Sequence, residues 1–421
     1  MKRPPQWYLD FVLRLRPGAF EANAKLMLGV VRAAARAKEP EVVFCPDALR
    51  GGDCGSLNDH PAFQMALARA QEKFLRDVKR IRNAPQVKFA RVKDESILEG
   101  AGPDPRFPFC GRPGDVYARQ VTELARRLAT IGVKDVVLGL SGGLDSTLAL
   151  LVAVGAFRLL QLDLAGIHVY TLPGFGTTKR TRGNADLLVE GLGLSMEAVD
   201  ITPLCRQHFK DLRQPVTRHD VVFENTQARV RTLFLMDKAN QLGGIVLGTG
   251  DMSEIALGWS TYNGDHMSMY GVNAGVPKTT VREVCSWWAD NVRGLDVGSA
   301  QAAAVIDDVV ATPVSPELLP AKRGKIDQKT EDRIGPYELH DFFLWHFVAE
   351  NEGRAEILKA AKAVFKGVYD AKTIAKWLDL FLRRFFSQAF KRNCAPDGTQ
   401  VFRVYLAPGA WHMPGNSCMP L

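Results

Sequence analysis

The sequence predicts a doubly wound, mostly parallel α/β sheet, with a small α/β segment before it and a helical extension after it. Three observations carry this. Short β-branched runs at 136–140, 165–171, 195–201 and 245–247 alternate with helical patterns, the order that builds parallel sheets from β-α-β units. A glycine turn, Ser141-Gly142-Gly143-Leu144-Asp145-Ser146, follows the first of these strands and opens an apolar helix. The third is composition: 46% hydrophobic and 24% charged residues over 421 positions suit a globular chain with room for two or three domains.

Composition also excludes several classes. The longest apolar run, 148–157, falls short of the roughly 20 residues that span a bilayer, so no membrane role is expected. Residues 1–7 carry charge but no apolar core, so a secretory leader is not expected and the location expected is cytoplasmic. Seven cysteines without CxxC spacing argue against a zinc site or a disulfide framework. The net charge of +8 suits anionic small substrates, or simply a soluble surface. No basic-aromatic nucleic-acid module is visible, so no nucleic-acid partner is expected.

Taken in order, residues 23–35 read as a helix and 41–44 as a short strand. The turn Gly51-Gly52-Asp53-Cys54-Gly55 leads to a second helix over 61–75, and 87–92 has a strand pattern within a charged junction. Tyr117, Val121, Leu124 and Leu128 repeat at i, i+4, i+7 and i+11, an amphipathic helix whose stripe is core packing. The strand at 136–140 then enters the glycine turn, where two readings fit. The turn either cradles an anion on its N–H groups and the helix N-terminus, with Asp145 turned to a metal, or is a plain bend with Asp145 capping the helix.

After the strand at 165–171, Leu172-Pro173-Gly174-Phe175-Gly176-Thr177-Thr178-Lys179-Arg180 lies where α/β sheets bind ligands, at a strand's carboxyl end. A solvated loop is the plain alternative. A helix over 184–191 and the strand at 195–201 follow. Another helix starts near Glu224, with Asn225, Arg229 and Thr232 on one face, suited to a ligand or to solvent. The strand at 245–247 opens the densest polar cluster: Gly248-Thr249-Gly250-Asp251-Met252-Ser253-Glu254, Trp259 to Tyr262, Asp265-His266 and Lys278. A strand-end glycine turn with three carboxylates and a lysine reads as a metal–phosphate site. His266 is ambiguous: a lone histidine is more often structural than catalytic, and it is not assigned as a base. Residues 337–392 read as helical, and Trp377, Leu378, Phe381 and Phe385 as packing.

The loop at 141–146 resembles the SGGxDS pyrophosphate loop of the N-type ATP pyrophosphatases, of adenine-nucleotide alpha hydrolase-like fold. LPGFGTT (172–178), ENTQARVR (224–231), GTGDMSEIALGWSTYNGDHMS (248–268), VPKT (276–279), PVSPELLP (313–320), QKTEDRIGPYELHDFF (328–343) and FFSQAFKRNCAPDG (385–398) extend the resemblance to the synthetase domain of NAD synthetases, the glutamine-dependent branch in particular. It implies a carbon–nitrogen ligase that amidates deamido-NAD to NAD⁺ through an acyl adenylate, with ATP as co-substrate, Mg²⁺ as cofactor, and AMP and pyrophosphate as products. By the same resemblance Ser141, Gly142, Gly143, Asp145, Ser146 and Thr249 bind ATP. Asp145 and Glu254 carry the metal. Asn225, Glu254, Trp259, Tyr262, Asp265, Lys278 and Lys391 face deamido-NAD, and Asp145 and Lys278 are the catalytic pair. A homodimer is implied as well.

Residues 1–104 resemble the opening of a nitrilase-type glutaminase domain, but the register slips: the nitrilase glutamate falls on Pro46 or Asp47. These residues are therefore expected to be a remnant and junction, with residues 105–421 the synthetase domain and ammonia the nitrogen donor. The alternatives are glutamine use through a partner glutaminase, another ATP-pyrophosphatase amidase such as a GMP or asparagine synthetase, and a non-catalytic deamido-NAD-binding protein. The ENTQAR and GWSTYNGDHMS blocks argue against the other amidases.

Overall fold

A computed structural model describes residues 15, 19–44, 48–49, 61–89, 98–100, 104–109, 111–176, 179–312, 330–408, 410–411, 413–414 and 417, with backbone alone over 179–182. Pro46, Asp47, the 51–55 turn, Thr177, Thr178 and the 313–320 block lie outside the described residues. Two compact units make up the chain: residues 1–95 with 125–132, and residues 96–124 with 133–421.

In the first unit, helix α1 (Phe20–Ala37), strand β1 (Glu41–Phe44), helix α2 (Pro61–Lys79) and strand β2 (Gln86–Phe89) follow one another. The two strands pair in parallel, Val42 opposite Val87. Met27, Val31, Phe44, Phe74 and Val78 close a core of this unit's own. Both helices are longer than their sequence patterns, because Val78 joins the buried stripe and Phe20 packs against it.

Helix α3 (Pro113–Ile131) leads to the sheet of the second unit. The chain continues through β3 (Val136–Gly139), α4 (Leu144–Leu160), β4 (Ile167–Thr171), α5 (Lys179–Gly191), β5 (Met196–Ala198), α6 (Thr202–Asp211), α7 (Val221–Leu242), β6 (Ile245–Gly248), α8 (Met252–Leu257) and β7 (Tyr270–Gly271). The strands are all parallel and lie in the order β5-β4-β3-β6-β7. Val136 faces Ile167 on one side and Ile245 on the other. The chain therefore winds outward from β3 in one direction, returns, and winds outward in the other.

Local differences from the sequence expectation have simple causes. Asp163 accepts from Ala165 N–H and holds residues 164–166 in a 3₁₀ turn, so β4 begins at Ile167. Asp220 caps α7 by accepting from the N–H groups of Val222 and Phe223, which starts that helix before Glu224. Helix α4 is apolar all round and buried over most of its length, as a central helix must be.

Helices α9 (Lys278–Val292), α10 (Val297–Ala311), α11 (Thr330–Ile334), α12 (Tyr337–Val348), α13 (Arg354–Val364), α14 (Ala371–Ser387) and α15 (Ala389–Arg392) complete the unit. The Trp377, Leu378, Phe381 and Phe385 stripe is buried as expected, with Phe381 against Phe343 and Phe385 against Phe347. Among the described residues no helix is long and apolar enough to cross a membrane.

Candidate active site

Loops leave the carboxyl ends of β3 and β6, the adjacent strands between which the winding direction reverses. A doubly wound sheet opens its ligand crevice at that switch point. The β3 loop is the glycine turn. Gly142 has φ +76°, which a side chain would strain. Gly143 N–H donates to Ser141 Oγ at 3.2 Å, and the hydroxyls of Ser141 and Ser146 lie 3.0 Å apart. Gly143, not Asp145, occupies the cap position of α4. That disposes of the capping alternative, because the Asp145 carboxylate is engaged elsewhere.

Its partner is Lys278, at the first position of α9. The ammonium donates to Asp145 Oδ2 at 2.6 Å and Glu254 Oε1 at 3.0 Å, and lies 2.8 Å from Asp251 Oδ2. Lys278 is 2% exposed and Asp251 is fully buried. Burial works against the ammonium, but the three carboxylates overcome it and hold Lys278 well above the ordinary lysine range. Burial likewise raises Asp251 well above its usual value, and Asp145 and Glu254 push in the same direction while Lys278 opposes. Glu254 is raised to about 7, by burial first and then by Asp145, against the pull of Lys278.

Carboxylate oxygens of Asp145, Asp251 and Glu254 lie within 4.8 Å of one another, close enough to share a metal ion. Asp145 Oδ1 is buried and finds no partner among the described residues. Three carboxylates around one ammonium leave a charge deficit that a hard divalent cation would fill, and Mg²⁺ takes oxygen ligands of this kind. The residues therefore fit the metal that the sequence implies.

Beyond this cluster a cleft is lined by Thr249, Glu254, Ser260, Asp265, His266 and Lys391, among others. Asp265 Oδ1 accepts from Thr261 N–H at 2.8 Å, and Thr261 Oγ1 donates to Asn225 Oδ1 at 2.8 Å. Arg229 Nε donates to the Tyr262 carbonyl at 3.3 Å, whereas the Thr232 hydroxyl turns back to the Ala228 carbonyl. Asn225 and Arg229 thus fasten the 261–262 segment, and Thr232 does not join them. Lys391 donates to the Gly258 and Ser260 carbonyls at 2.8 and 2.6 Å. Tyr262 stacks on His266, and the Arg384 guanidinium sits over the Trp259 ring. Asn225, Trp259 and Tyr262 brace the cleft segment but do not line the cleft. Both ring nitrogens of His266 are engaged: Nε2 donates to the Lys391 carbonyl at 2.7 Å and Nδ1 accepts from Asn263 N–H.

The turn after β4 is held rather than free over its described part. Gln227 Oε1 accepts from Phe175 N–H at 3.0 Å, and Arg231 donates to the Leu172 carbonyl at 3.0 Å. Reading the sequence assigns no separate role to Asp251, Asn273 or Asp341. Asp251 stands in the polar cluster and Asp341 within the 328–343 block, but Asn273 carries no local signal.

Fold and site together define a doubly wound α/β protein with a glycine loop and an acid–lysine cluster facing each other across the switch point. The NAD synthase family model matches residues 116–378, more than half of the chain. The chain belongs to the NAD synthase family. It is 38% identical over 345 residues to the glutamine-dependent NAD(+) synthetase of Mycobacterium leprae, an alignment covering 74% of this chain and 50% of that one. With the enzyme of the same description from Thermotoga maritima identity is 28% over 313 residues, covering 73% and 48%. The chain spans about half the length of these curated relatives. A crystal structure of a glutamine-dependent NAD(+) synthetase from Cytophaga hutchinsonii shares the fold, with a TM-score of 0.58, 17% identity and coverage of 74% of this chain and 55% of that one.

Proposed function

We propose that the chain is a carbon–nitrogen ligase that converts deamido-NAD to NAD⁺ with ATP, using ammonia as nitrogen donor. The observation that carries this reading is Lys278 held by Asp145 of the β3 loop and by Asp251 and Glu254 after β6. In the first step a nicotinate carboxylate oxygen attacks the α-phosphorus of ATP, and the bond to the pyrophosphate oxygen breaks. In the second, the nitrogen lone pair of ammonia attacks the acyl carbon, a proton is lost, and AMP departs with the acyl C–O electron pair.

Such chemistry asks the protein for positioning and for neutralising charge. Ser141, Gly142, Gly143 and Ser146 would offer hydroxyl and N–H donors to the pyrophosphate, and Thr249, which lines the cleft, would contact the nucleotide. Mg²⁺, held by Asp145 and Glu254, would offset the charge developing on the transferred phosphate. Lys278 neutralises the adenylate side. Asp265 and Lys391 line the cleft that would take the dinucleotide, with Asn225, Trp259 and Tyr262 bracing it. Family membership supports the same reading.

Residues 105–421 form the synthetase domain in this reading, and residues 1–104 a nitrilase-like segment, supported by the α-β-α-β order of 20–89. Cys205 and Cys285 serve packing: both are buried, and burial raises the Cys205 thiol to about 11. A homodimer in the cytoplasm completes the proposal, the oligomeric part testable by sedimentation.

The deciding assay follows AMP and NAD⁺ formed from ATP, deamido-NAD and Mg²⁺, with ammonium and with glutamine in parallel. Product with ammonium alone is expected. Product with glutamine would replace the ammonia reading, and product with neither would overturn the ligase assignment. Asp145→Asn should abolish pyrophosphate release and leave the fold intact; unchanged turnover would remove Asp145 from the mechanism.

A further inference from the structure

Two loops must face each other at a fixed spacing for this site to work, and one buried side chain spans them. Asn273 follows β7 and is fully buried. Its Nδ2 donates to the Asp145 carbonyl at 2.9 Å and to the Thr249 carbonyl at 3.0 Å. One amide thus ties the loop after β3 to the loop after β6. Its Oδ1 accepts from Gln120 Nε2 at 3.0 Å, and the same Gln120 nitrogen donates to the Val272 carbonyl at 3.0 Å. Gln120, on α3, is also fully buried.

The partners fix which way each amide points. Carbonyl oxygens accept and do not donate, so the Asn273 atom facing Asp145 and Thr249 is the nitrogen. Its oxygen then needs a donor, and Gln120 supplies it. The Asn273 backbone joins in: its carbonyl accepts from Val276 N–H at 2.9 Å, and the Val276 carbonyl accepts from Met252 N–H at 3.0 Å. This short turn leads to Pro277 and Lys278.

We propose that Asn273 is a positioning residue, with Gln120 behind it, that sets the separation of the two phosphate-facing loops and so the placement of Asp145 opposite Asp251 and Glu254. The inference rests on the synthetase reading above. Loss of the clamp lets the β3 loop drift from the β6 loop. ATP, which in this reading bridges both, loses its register, while the Asp265 and Lys391 side of the cleft keeps its own supports. Displacing reacting groups by about 1 Å can cost a factor of about 100 in rate, so a partial drift is readily measured.

The test uses the full chain, with ATP varied at saturating deamido-NAD and ammonium, and then deamido-NAD varied at saturating ATP. Asn273→Asp keeps the size but places acceptors against two carbonyls. It should raise KM for ATP about tenfold and lower kcat about tenfold, with KM for deamido-NAD changed less than about twofold. Gln120→Met keeps the volume and frees the Asn273 oxygen; it should show the same selectivity at about threefold, and it decides the matter if Asn273→Asp does not fold. Unchanged ATP kinetics, or equal rises in both KM values, would overturn the clamp. If the wild-type chain turns over with neither nitrogen source, the ligase reading fails instead. ATP·Mg²⁺ calorimetry on the same variants then judges the clamp, with affinity expected to fall about tenfold and an unchanged affinity overturning it.

Discussion

Lys278 stands at the point where charge, burial and chemistry meet. Removing its ammonium leaves Asp145, Asp251 and Glu254 facing one another in a largely buried space. Breaking a buried ion pair from one side costs about 3–5 kcal/mol. Lys278→Met should therefore lose stability of that order in urea unfolding at pH 8. Millimolar Mg²⁺ should restore part of the loss, because a divalent cation would take over the neutralising role. A variant as stable as wild type, or one indifferent to Mg²⁺, would show that the cluster is not under electrostatic stress. His340 gives the other titration that can be read clearly. Buried on α12, it donates from Nε2 to the Ile334 carbonyl at 2.6 Å, and burial lowers it to about 4 from an ordinary 6.5. Between those values the unfolded chain binds the proton and the folded chain does not, so stability falls as the pH drops through this window. Once the window is entered the slope for one such group approaches about 1.4 kcal/mol per pH unit. His340→Phe should flatten that part of the stability–pH curve, and an unchanged acid limb would assign the acid sensitivity to other groups.

Helix α9 shows how an element can be finished by its neighbours. Its cap residue is Pro277, which has no side-chain acceptor, so the first N–H groups need partners from elsewhere. Ser253 of α8 accepts from Lys278 N–H at 2.8 Å and donates its own hydroxyl to Asp341 Oδ1. Asp341 of α12 accepts from the N–H and the hydroxyl of Thr279 at 3.1 and 2.7 Å. A carboxylate at a helix N-terminus also suits the macrodipole. Burial nonetheless raises Asp341 to about 6, against these donors. Asp341→Ala should cost about 2 kcal/mol, at the upper end for a lost helix cap, and Asp341→Asn, which keeps one acceptor, about half of that. Urea unfolding of the two variants checks the order; a reversed ranking, or wild-type stability in both, would remove the cap. The opposite device ends α8. Gly258 turns left-handed at φ +56°, and Arg384, Lys391 and Arg392 donate to carbonyls of its last turn and the residues after it. Helix periodicity such as the Tyr117–Leu128 stripe was legible in the sequence because it is local. These caps were not: Ser253 and Asp341 lie 88 positions apart, and no local pattern links them.

At the scale of the molecule, the strand order decides what the sequence blocks mean. Alternating strands and helices announced a parallel sheet, and the loop with its later acidic block announced a phosphate site. The order β5-β4-β3-β6-β7 then makes those two blocks neighbours at the reversal of winding, which no linear reading of Asp145 and Glu254 could establish. Asn273 and Gln120 stayed hidden for a related reason: each is an unremarkable amide until the sheet brings together two chain segments more than a hundred residues apart. Ligand binding should report this geometry directly. A ligand that binds the folded state adds RT ln(1 + [L]/Kd), about 2.7 kcal/mol at one hundred times Kd, to the opening free energy of the segments it holds closed. With ATP·Mg²⁺ added, amide exchange is expected to slow over 140–146, 249–254 and 273–279, the strand ends and the α9 start that converge on Lys278. Segments 20–37 and 61–79 have a core of their own around Met27, Phe44 and Phe74, and their exchange should stay unchanged. Slowing confined to 140–146 would mean that nucleotide binds the glycine loop without the β6 side. Slowing over 20–37 would show that the N-terminal unit senses the nucleotide, and would end the view of it as a separate segment.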